Sequence, residues 1–582
     1  MPASETGRRS VSLFYATAFR PDTRVFFSVG KVLAARLRVS WIGSRLAIMS
    51  ILYPFGNGRR WDYVAAFLGL ALVGITLATL PNYGISWDEP MQSSYGRLVL
   101  RYYQTRFHDL RALTFGDLRY YGGLFDGIAA LLAHALHLGH SYGFRHVLNL
   151  GTGLLGVAGT WCLGRLAGGP RVGIWSGLLL VAIPAWYGHM FNNPKDIPFA
   201  TASVWALCVM LDSLPLLPRL PASRQLALGL TLGLALAVRI GALLMFAYLG
   251  LVVVLVVMAR AARLRTLWLC VGSLLTPVAV AWTIMLLFWP WAQSQPLTRP
   301  LLALRVMSRF PHDVWFPHGG TIVRSTDLPW TYTLHVLVVT LPEIVLVGLG
   351  AALVVGIRAW RSVRLGDLSC ARWILIVAAT VVPILFVSLM HTTLYNMWRH
   401  LLFIAPPLCV LAAAGLDRLL QWSRARSWLR WGCTAALATY ALWHVNTMRA
   451  LHPDEYVYFN ALVGGLAGAE GRYELDYWGN SKKEAVELLA DHLRSTEGPH
   501  PRSYKVAVCE EPVNATHYFP TFLELSQEPE KADFFLQQPG ASCPLWADGP
   551  LLVRVVKLGV PLSVIEDLRG VRADTVTPPR LR

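Results

Sequence analysis

Charge is scarce in this sequence, and negative charge most of all. Only 15% of the 582 residues are charged against 54% hydrophobic, and 34 acidic residues face 52 lysines and arginines for a net charge of +18. A soluble globular domain carries about 25% charged residues, so the composition argues against an ordinary soluble fold and for a membrane protein. The positive excess does not point to nucleic acid. The basic residues gather in short clusters between apolar runs, as cationic loops on the cytoplasmic side of a membrane do. Cysteine is also sparse. Of the eight, Cys162, Cys208, Cys270, Cys370, Cys409 and Cys433 lie in or beside apolar runs and read as packing residues, and no metal-type CxxC spacing occurs. Only Cys509 and Cys543, in the polar tail, are left as candidates for a disulfide. Residues 1–60 lack the apolar core and small-residue cleavage site of a signal peptide. Arg-rich, they read as a cytoplasmic, partly disordered segment in which Met49 is an alternative start.

Long apolar runs are what the chain does have, and about 20 residues suffice to cross a bilayer. Candidate spans are 62–80, 146–166, 172–189, 197–213, 225–239, 241–259, 267–289, 332–356, 373–390, 401–419 and 429–447. With that set, the loops RLAGGPR, PRLPASR, ARAARLR, IRAWRSVR and RLLQWSRARSWLR all fall on one side, and every one is basic. The positive-inside rule makes that side, and the N-terminus, cytoplasmic. The expected fold is therefore an all-α polytopic membrane protein of about 11 transmembrane helices over residues 61–447, in the plasma (inner) membrane, with an extracytoplasmic α/β domain at 448–582. The first loop, 81–145, is extracytoplasmic in this scheme. Its stretch 124–139 is apolar yet carries Asp126, His134 and His137, which predicts a helix lying on the membrane surface. In the tail, Ser481 and Glu484 predict a capping-box start for a helix over 482–494, and 502–510, 532–537 and 550–558 read as strands. Asn514-Ala515-Thr516 fits an N-glycosylation acceptor.

The unusual polar residues fall on the extracytoplasmic side. Asp88 and Glu89, in GISWDEPMQSSYGR, follow the first span at a predicted helix start. They read either as an exposed helix cap or as catalytic carboxylates at a membrane surface. FNNPKDIPF places Lys195 and Asp196 in a tight turn between spans, and HTTLYNMWRHLLF places Tyr395, Arg399 and His400 at the mouth of another. The alternatives are a polar turn satisfying helix ends and interfacial anchoring. Arg239 lies within apolar sequence, where an ionisable residue is a functional candidate. The loop 290–331 is long enough to suggest function. Carboxylates and cations meeting where water meets lipid suit a transferase with a lipid-phosphate donor. The cations would hold the phosphate by charge-assisted hydrogen bonds, and a carboxylate would take the proton of the attacking acceptor.

On ISWDEP, NNPKDIPF, SRFPHD, DLPWTY, YNMWRHLLFIAPPL and YVYFNALVGGLAGAEGRYELDYWGNSKKEA, the chain resembles the C-type (GT-C) glycosyltransferases. Within them it looks most like the group of protein O-mannosyltransferases and lipid A aminoarabinose transferases. The resemblance covers most of residues 60–480. It implies transfer of a sugar from a polyprenyl-phosphate donor to an extracytoplasmic protein, lipid or glycan acceptor, with inversion. By that resemblance Asp88 is the general base and Glu89 shapes the acceptor site. Lys195 and Asp196 contact donor phosphate or sugar, and Arg399 and His400 lie near the lipid phosphate; Arg239 and Tyr395 are grouped with these donor-binding residues. No cofactor is firmly implied, since some relatives use a divalent metal and others do not. Two rivals stay open: a transporter or flippase, and a glycan ligase or polymerase with a diphosphate donor.

Overall fold

The computed structural model describes residues 59–362, 367–539 and 549–570. Met49 and most of the Arg-rich leader therefore lie outside the described residues, as does Cys543. The first helix, α1 (Arg59–Thr79), leaves Phe67 and Leu70 more than two-thirds exposed. An apolar helix that shows such side chains outward has lipid as its partner. Next come α2 (Glu89–Gln104), α3 (Leu124–Ala135), α4 (Tyr142–Gly168), α5 (Pro170–Ala182), α6 (Pro184–Asn192) and α7 (Asp196–Ser213). After them run α8 (Ala222–Leu236), α9 (Leu243–Met258), α10 (Arg263–Phe288), α11 (Thr298–Ser308) and the hairpin β1–β2 (Trp315–His318, Thr321–Arg324). The helical part closes with α12 (Tyr332–Thr340), α13 (Glu343–Ala359), α14 (Leu368–Met390), α15 (Ala405–Ser423) and α16 (Ser427–Leu451).

Among the described residues, seven helices are long and apolar enough to cross a membrane, and two bent pairs raise the number to nine if each is one span. The expected eleven is corrected at two places. The run 225–239 leaves the helix before Arg239, so α8 has only 15 residues, about 22 Å against the roughly 30 Å of a bilayer core. The run 429–447 sits in a helix of 25 residues, but Trp443, His444 and Asn446 dilute its apolar character. Both bent pairs break at a proline. Pro184 holds Ile183 in an extended conformation between α5 and α6, a 71° bend, and Pro342 does the same to Leu341 between α12 and α13, a 119° bend. Where α13 crosses α15, Gly348 meets Gly415, and a Cβ on Gly415 would stand 2.0 Å from the Gly348 carbonyl oxygen. Small residues at such crossings let backbones touch.

Helix α4 sets the two poles of the helical part. Near its start His146 lies 3.1 Å from Glu89, and near its end Arg165 pairs with Asp62 at 2.7 Å. His146 and Arg165 are 19 positions apart, a rise of about 28 Å along the helix. At the Arg165 pole Arg171 also pairs with Asp417 at 2.6 Å, which ties the ends of α1, α4, α5 and α15 together through one of the basic loops.

The tail folds as helix α17 (Lys482–Glu497) on a five-stranded mixed sheet. Its strands are β3 (Tyr504–Val508), β4 (Leu523–Leu525), β5 (Phe534–Gln537), β6 (Leu551–Lys557) and β7 (Val560–Asp567), in the order β4-β3-β5-β7-β6. Strands β3, β4 and β5 run parallel, and β7 pairs antiparallel with both β5 and β6. Val486, Leu489 and Leu493 of α17 pack on Val506, Phe534, Val555 and Ile565. The capping box does not form. Ser481 Oγ donates to Asp476 at 2.5 Å, and Glu484 pairs with Lys557 at 2.8 Å, because buried partners outcompete the helix end for both side chains. The glycosylation reading of Asn514 fails for a related reason: the residue is 1% exposed, and its Nδ2 donates to the Trp478 carbonyl. Cys509 is disulfide-bonded.

Candidate functional site

The chain leaves the short 3-10 turn Leu80–Asn82 extended, and residues 84–86 are held on three sides before α2 starts. Gly84 N–H donates to Asn480 Oδ1 at 2.8 Å, Ile85 N–H donates to the Tyr518 hydroxyl at 3.0 Å, and Ser86 Oγ donates to the Asn192 carbonyl at 2.9 Å. Asp88 is the residue before the helix, but its side chain caps no backbone N–H. It turns instead to two cations, with Oδ2 3.4 Å from Arg399 Nη1 and 3.6 Å from Lys195 Nζ. The exposed-cap reading therefore does not describe this carboxylate. Burial pushes the Asp88 carboxyl up, yet Lys195 and Arg399 outweigh that and hold it below the usual range.

Lys195 and Asp196 come from the turn between α6 and α7. Asn193 folds that turn by accepting the Asp196 N–H at 2.8 Å while its amide donates to Asp196 Oδ2 at 2.9 Å. The remaining oxygen of Asp196 pairs with Arg239 at 2.5 Å, and Oδ2 also lies 3.3 Å from Arg399. Arg239 is available because the chain breaks between α8 and α9. The first loop docks on that break: Gly122 N–H donates to the Val238 carbonyl at 3.2 Å and Leu124 N–H to Ala237 at 3.1 Å. A Cβ on Gly122 would stand 2.0 Å from the Ala237 carbonyl oxygen, so only glycine fits. The neighbouring Tyr121 then offers its ring to Lys195 at 4.7 Å and to Arg239 at 5.6 Å.

Arg399 joins both carboxylates. It lies between the rings of Tyr395 at 5.1 Å and Trp478 at 5.3 Å, and its Nε donates to Asn396 Oδ1 at 3.1 Å. Glu474 in turn accepts the Asn396 backbone N–H at 3.1 Å and its amide at 3.3 Å. Burial pushes Glu474 up to about 7, against the pull of Arg399 and the Asn396 hydrogen bonds. His312, from the SRFPHD stretch of the long loop, packs its ring 4.4 Å from Tyr395. Burial, reinforced by Arg399, lowers its pKa.

The structure thus brings Asp88, Lys195, Asp196, Arg239, Tyr395 and Arg399 together. Glu89, one residue from Asp88, is directed elsewhere: it is 1% exposed and accepts from Ser86 N–H at 2.8 Å beside His146. His400 stands behind the cluster with its ring 4.7 Å from Tyr395, and its Nδ1 has no hydrogen-bond partner among the described residues. Sequence reasoning missed Tyr121, Asn193, Asn396 and Glu474. The last three lie in stretches already singled out for other residues, but nothing local marks them as partners of the charged groups.

Three cations face two carboxylates here, so the cluster carries one positive charge in excess. Asp196 and Arg399 are nearly sealed at 2% and 4% side-chain exposure, whereas Asp88 and Lys195 keep an open edge at 22% and 13%. The cavity behind Arg399 measures only about 10 Å³, so the cluster's open side is the edge formed by Asp88 and Lys195. Among the described residues no group of three His, Cys, Asp or Glu side chains gathers to hold a metal ion.

No family model and no curated protein sequence matches the chain. Among solved structures it is similar to ArnT from Cupriavidus metallidurans in the apo state, at 15% identity over 90% of this chain and 100% of that one, with a TM-score of 0.47. The same protein bound to undecaprenyl phosphate is similar at 15% identity over 89% and 99%, with a TM-score of 0.46. The archaeal oligosaccharyltransferase AglB from Archaeoglobus fulgidus, in complex with an inhibitory peptide and a dolichol-phosphate, is similar at 15% identity over 78% of this chain and 63% of that one, with a TM-score of 0.46.

Proposed function

We propose that the chain is a GT-C-type membrane glycosyltransferase that moves a sugar from a polyprenyl-phosphate carrier to an acceptor on the extracytoplasmic face. The observation that carries this reading is the convergence of Lys195, Arg239 and Arg399 on Asp88 and Asp196, with a cation in excess and Asp88 at the open edge. A phosphate suits that excess, and arginine forks suit its geometry. The side assignment rests on the positive-inside reading of the basic loops, and Arg165 and Arg171 of one of them lie at the far end of α4 from His146 and Glu89.

The proposed mechanism follows from how the cations are shared. Lys195 and Arg399 pair with Asp88 and keep it a weak base. A donor phosphate competes for both cations, and each contact it takes from Asp88 leaves that carboxylate more basic. Asp88 then accepts the proton of the acceptor hydroxyl or amine as its lone pair attacks the anomeric carbon from the face opposite the phosphate. The carbon–oxygen bond to phosphate breaks, the configuration inverts, and the lipid phosphate leaves as an anion stabilised by the same cations. Asp196 keeps Arg239 and Arg399 in place throughout, and Glu89 braces the turn through Ser86.

Purified protein incubated with a panel of polyprenyl-phosphate sugars tests this reading. Asp88→Asn should insert and fold normally but lose transfer by at least ~100-fold, the usual scale for a general base. A fully active Asp88→Asn enzyme removes the residue from the mechanism. A transport reading draws on the broken helices at Ile183, Arg239 and Leu341, since interrupted helices frame transporter sites. Uptake into sealed vesicles with no covalent change to the substrate selects it.

A further inference from the structure

Away from the charged cluster, the C-terminal half of α2, the turn after it, α3 and the start of α4 enclose an open cleft of about 930 Å³. Among the described residues, four arginines line it, Arg97, Arg101, Arg111 and Arg145, and no carboxylate does. Their states differ in a useful way. Arg145 is buried and pinned by Asp126 at 2.5 Å, Arg111 pairs with Asp109 on the surface, and Arg97 donates to Ser93 and Ser94, both at 2.9 Å. Arg101 is exposed and, among the described residues, donates no side-chain hydrogen bond and closes no ion pair, although its charge is felt by Asp109. His134, His137 and His140 add further donors to the opposite wall.

The rim of the same cleft is apolar on the other face of α3. Ala129, Ala130, Ala133 and His134 face the cleft, while Ile128, Leu131 and Leu132 are 36–49% exposed on the outward face, followed by exposed Leu136 and Leu138. A short helix with one face of exposed aliphatic side chains lies along the boundary between headgroups and acyl chains. A cationic cleft beside such a helix stands within reach of lipid phosphates. We infer that the cleft between α2 and α3 binds the phosphate headgroup of an anionic membrane lipid, with Arg97 and Arg101 on the phosphate and the lipid's acyl chains along Leu98 and Leu100 of the same cleft. This lipid would be a bound companion and not the sugar donor, because the cleft is lined by none of the residues that gather around Asp88.

The full-length protein in nanodiscs of mixed phosphatidylglycerol and phosphatidylcholine, analysed by native mass spectrometry, tests the inference. The wild type should retain phosphatidylglycerol in preference to phosphatidylcholine, and Arg101→Gln should lower that retention by about fivefold, with a similar further loss on adding Arg97→Gln. A melting temperature of Arg101→Gln equal to wild type in phosphatidylcholine alone separates loss of the site from loss of the fold. Equal phosphatidylglycerol retention by wild type and the double variant overturns the inference. Displacement of the lipid by millimolar inorganic phosphate also overturns it, since the cleft would then serve a soluble phosphate. Failure of either kind leaves the role of Asp88 untouched, because sugar transfer is measured separately.

Discussion

Arg399 points Nη1 at Asp88 and Asp196 at 3.4 and 3.3 Å and Nε at Asn396 at 3.1 Å, so one guanidinium orders three groups from three segments. Removing one member of a buried ionic group typically costs about 3–5 kcal/mol, because the partners lose their compensation. Arg399→Ala should therefore lower the melting temperature and raise the apparent KM for donor more than that for acceptor. Arg399→Lys should recover stability in part but not donor affinity, since an ammonium cannot reproduce the fork; an unchanged donor KM in both would count against the phosphate role. Glu474 gives a pH signature. Its folded pKa of about 7 lies above the usual 4.5, so the folded chain holds a proton that the unfolded chain releases. Its contribution to stability is complete below 4.5 and is lost as pH rises through about 7. Glu474→Gln should flatten the melting-temperature profile across that window, and parallel profiles would show that the group does not titrate there. At this scale, Asp88, Lys195, Asp196, Arg239 and Arg399 were legible because charge stands out at the edges of apolar runs. Glu474 was not, because it sits in polar sequence where an acid is ordinary, and only the fold reveals that it is enclosed.

Among the elements, the contact of the first loop with the break between α8 and α9 matters most for the site, since it places Tyr121 under Lys195 and Arg239. Gly122→Ala forces a methyl against the Ala237 carbonyl, and overpacking of this kind costs roughly 1–3 kcal/mol. It should lower both the melting temperature and kcat/KM for transfer. Gly415→Ala makes a comparable clash with Gly348 at the crossing of α13 and α15, and should lower the melting temperature with little effect on donor KM. If the two variants behave alike, the loop contact has no special bearing on the site. The elements also mark where sequence patterns lose resolution. Hydrophobicity located the apolar runs but could not see that 225–239 stops short at Arg239 or that two spans bend sharply at proline. Strand β7 was missed although it lies between β5 and β6, because VPLSVIED is buried along most of its length and lacks the alternation that marks a half-exposed strand.

For the whole molecule, the tail is part of the site's construction. Asn480 accepts from Gly84, donates to Asp454 at 2.6 Å and accepts the Asn192 amide at 3.2 Å, so one side chain joins the tail, the first loop and the end of α6. Asn480→Ala leaves buried groups unpaired at a cost of about 1–3 kcal/mol. It should reduce transfer without altering any residue of the charged cluster; wild-type turnover and thermal stability in that variant would show the joint to be dispensable. The sequence suggested a separate outer domain with no stated task, since no local pattern reports a contact between distant segments.

That joint also has a history in time. Gly84 and Asn480 are 396 positions apart, so the ribosome delivers the segment leading to Asp88 long before it makes the residue that seats it. A polypeptide that ends between residues 399 and 480 carries all five charged groups of the cluster and still lacks the Asn480 side chain that seats Gly84, four residues before its acid.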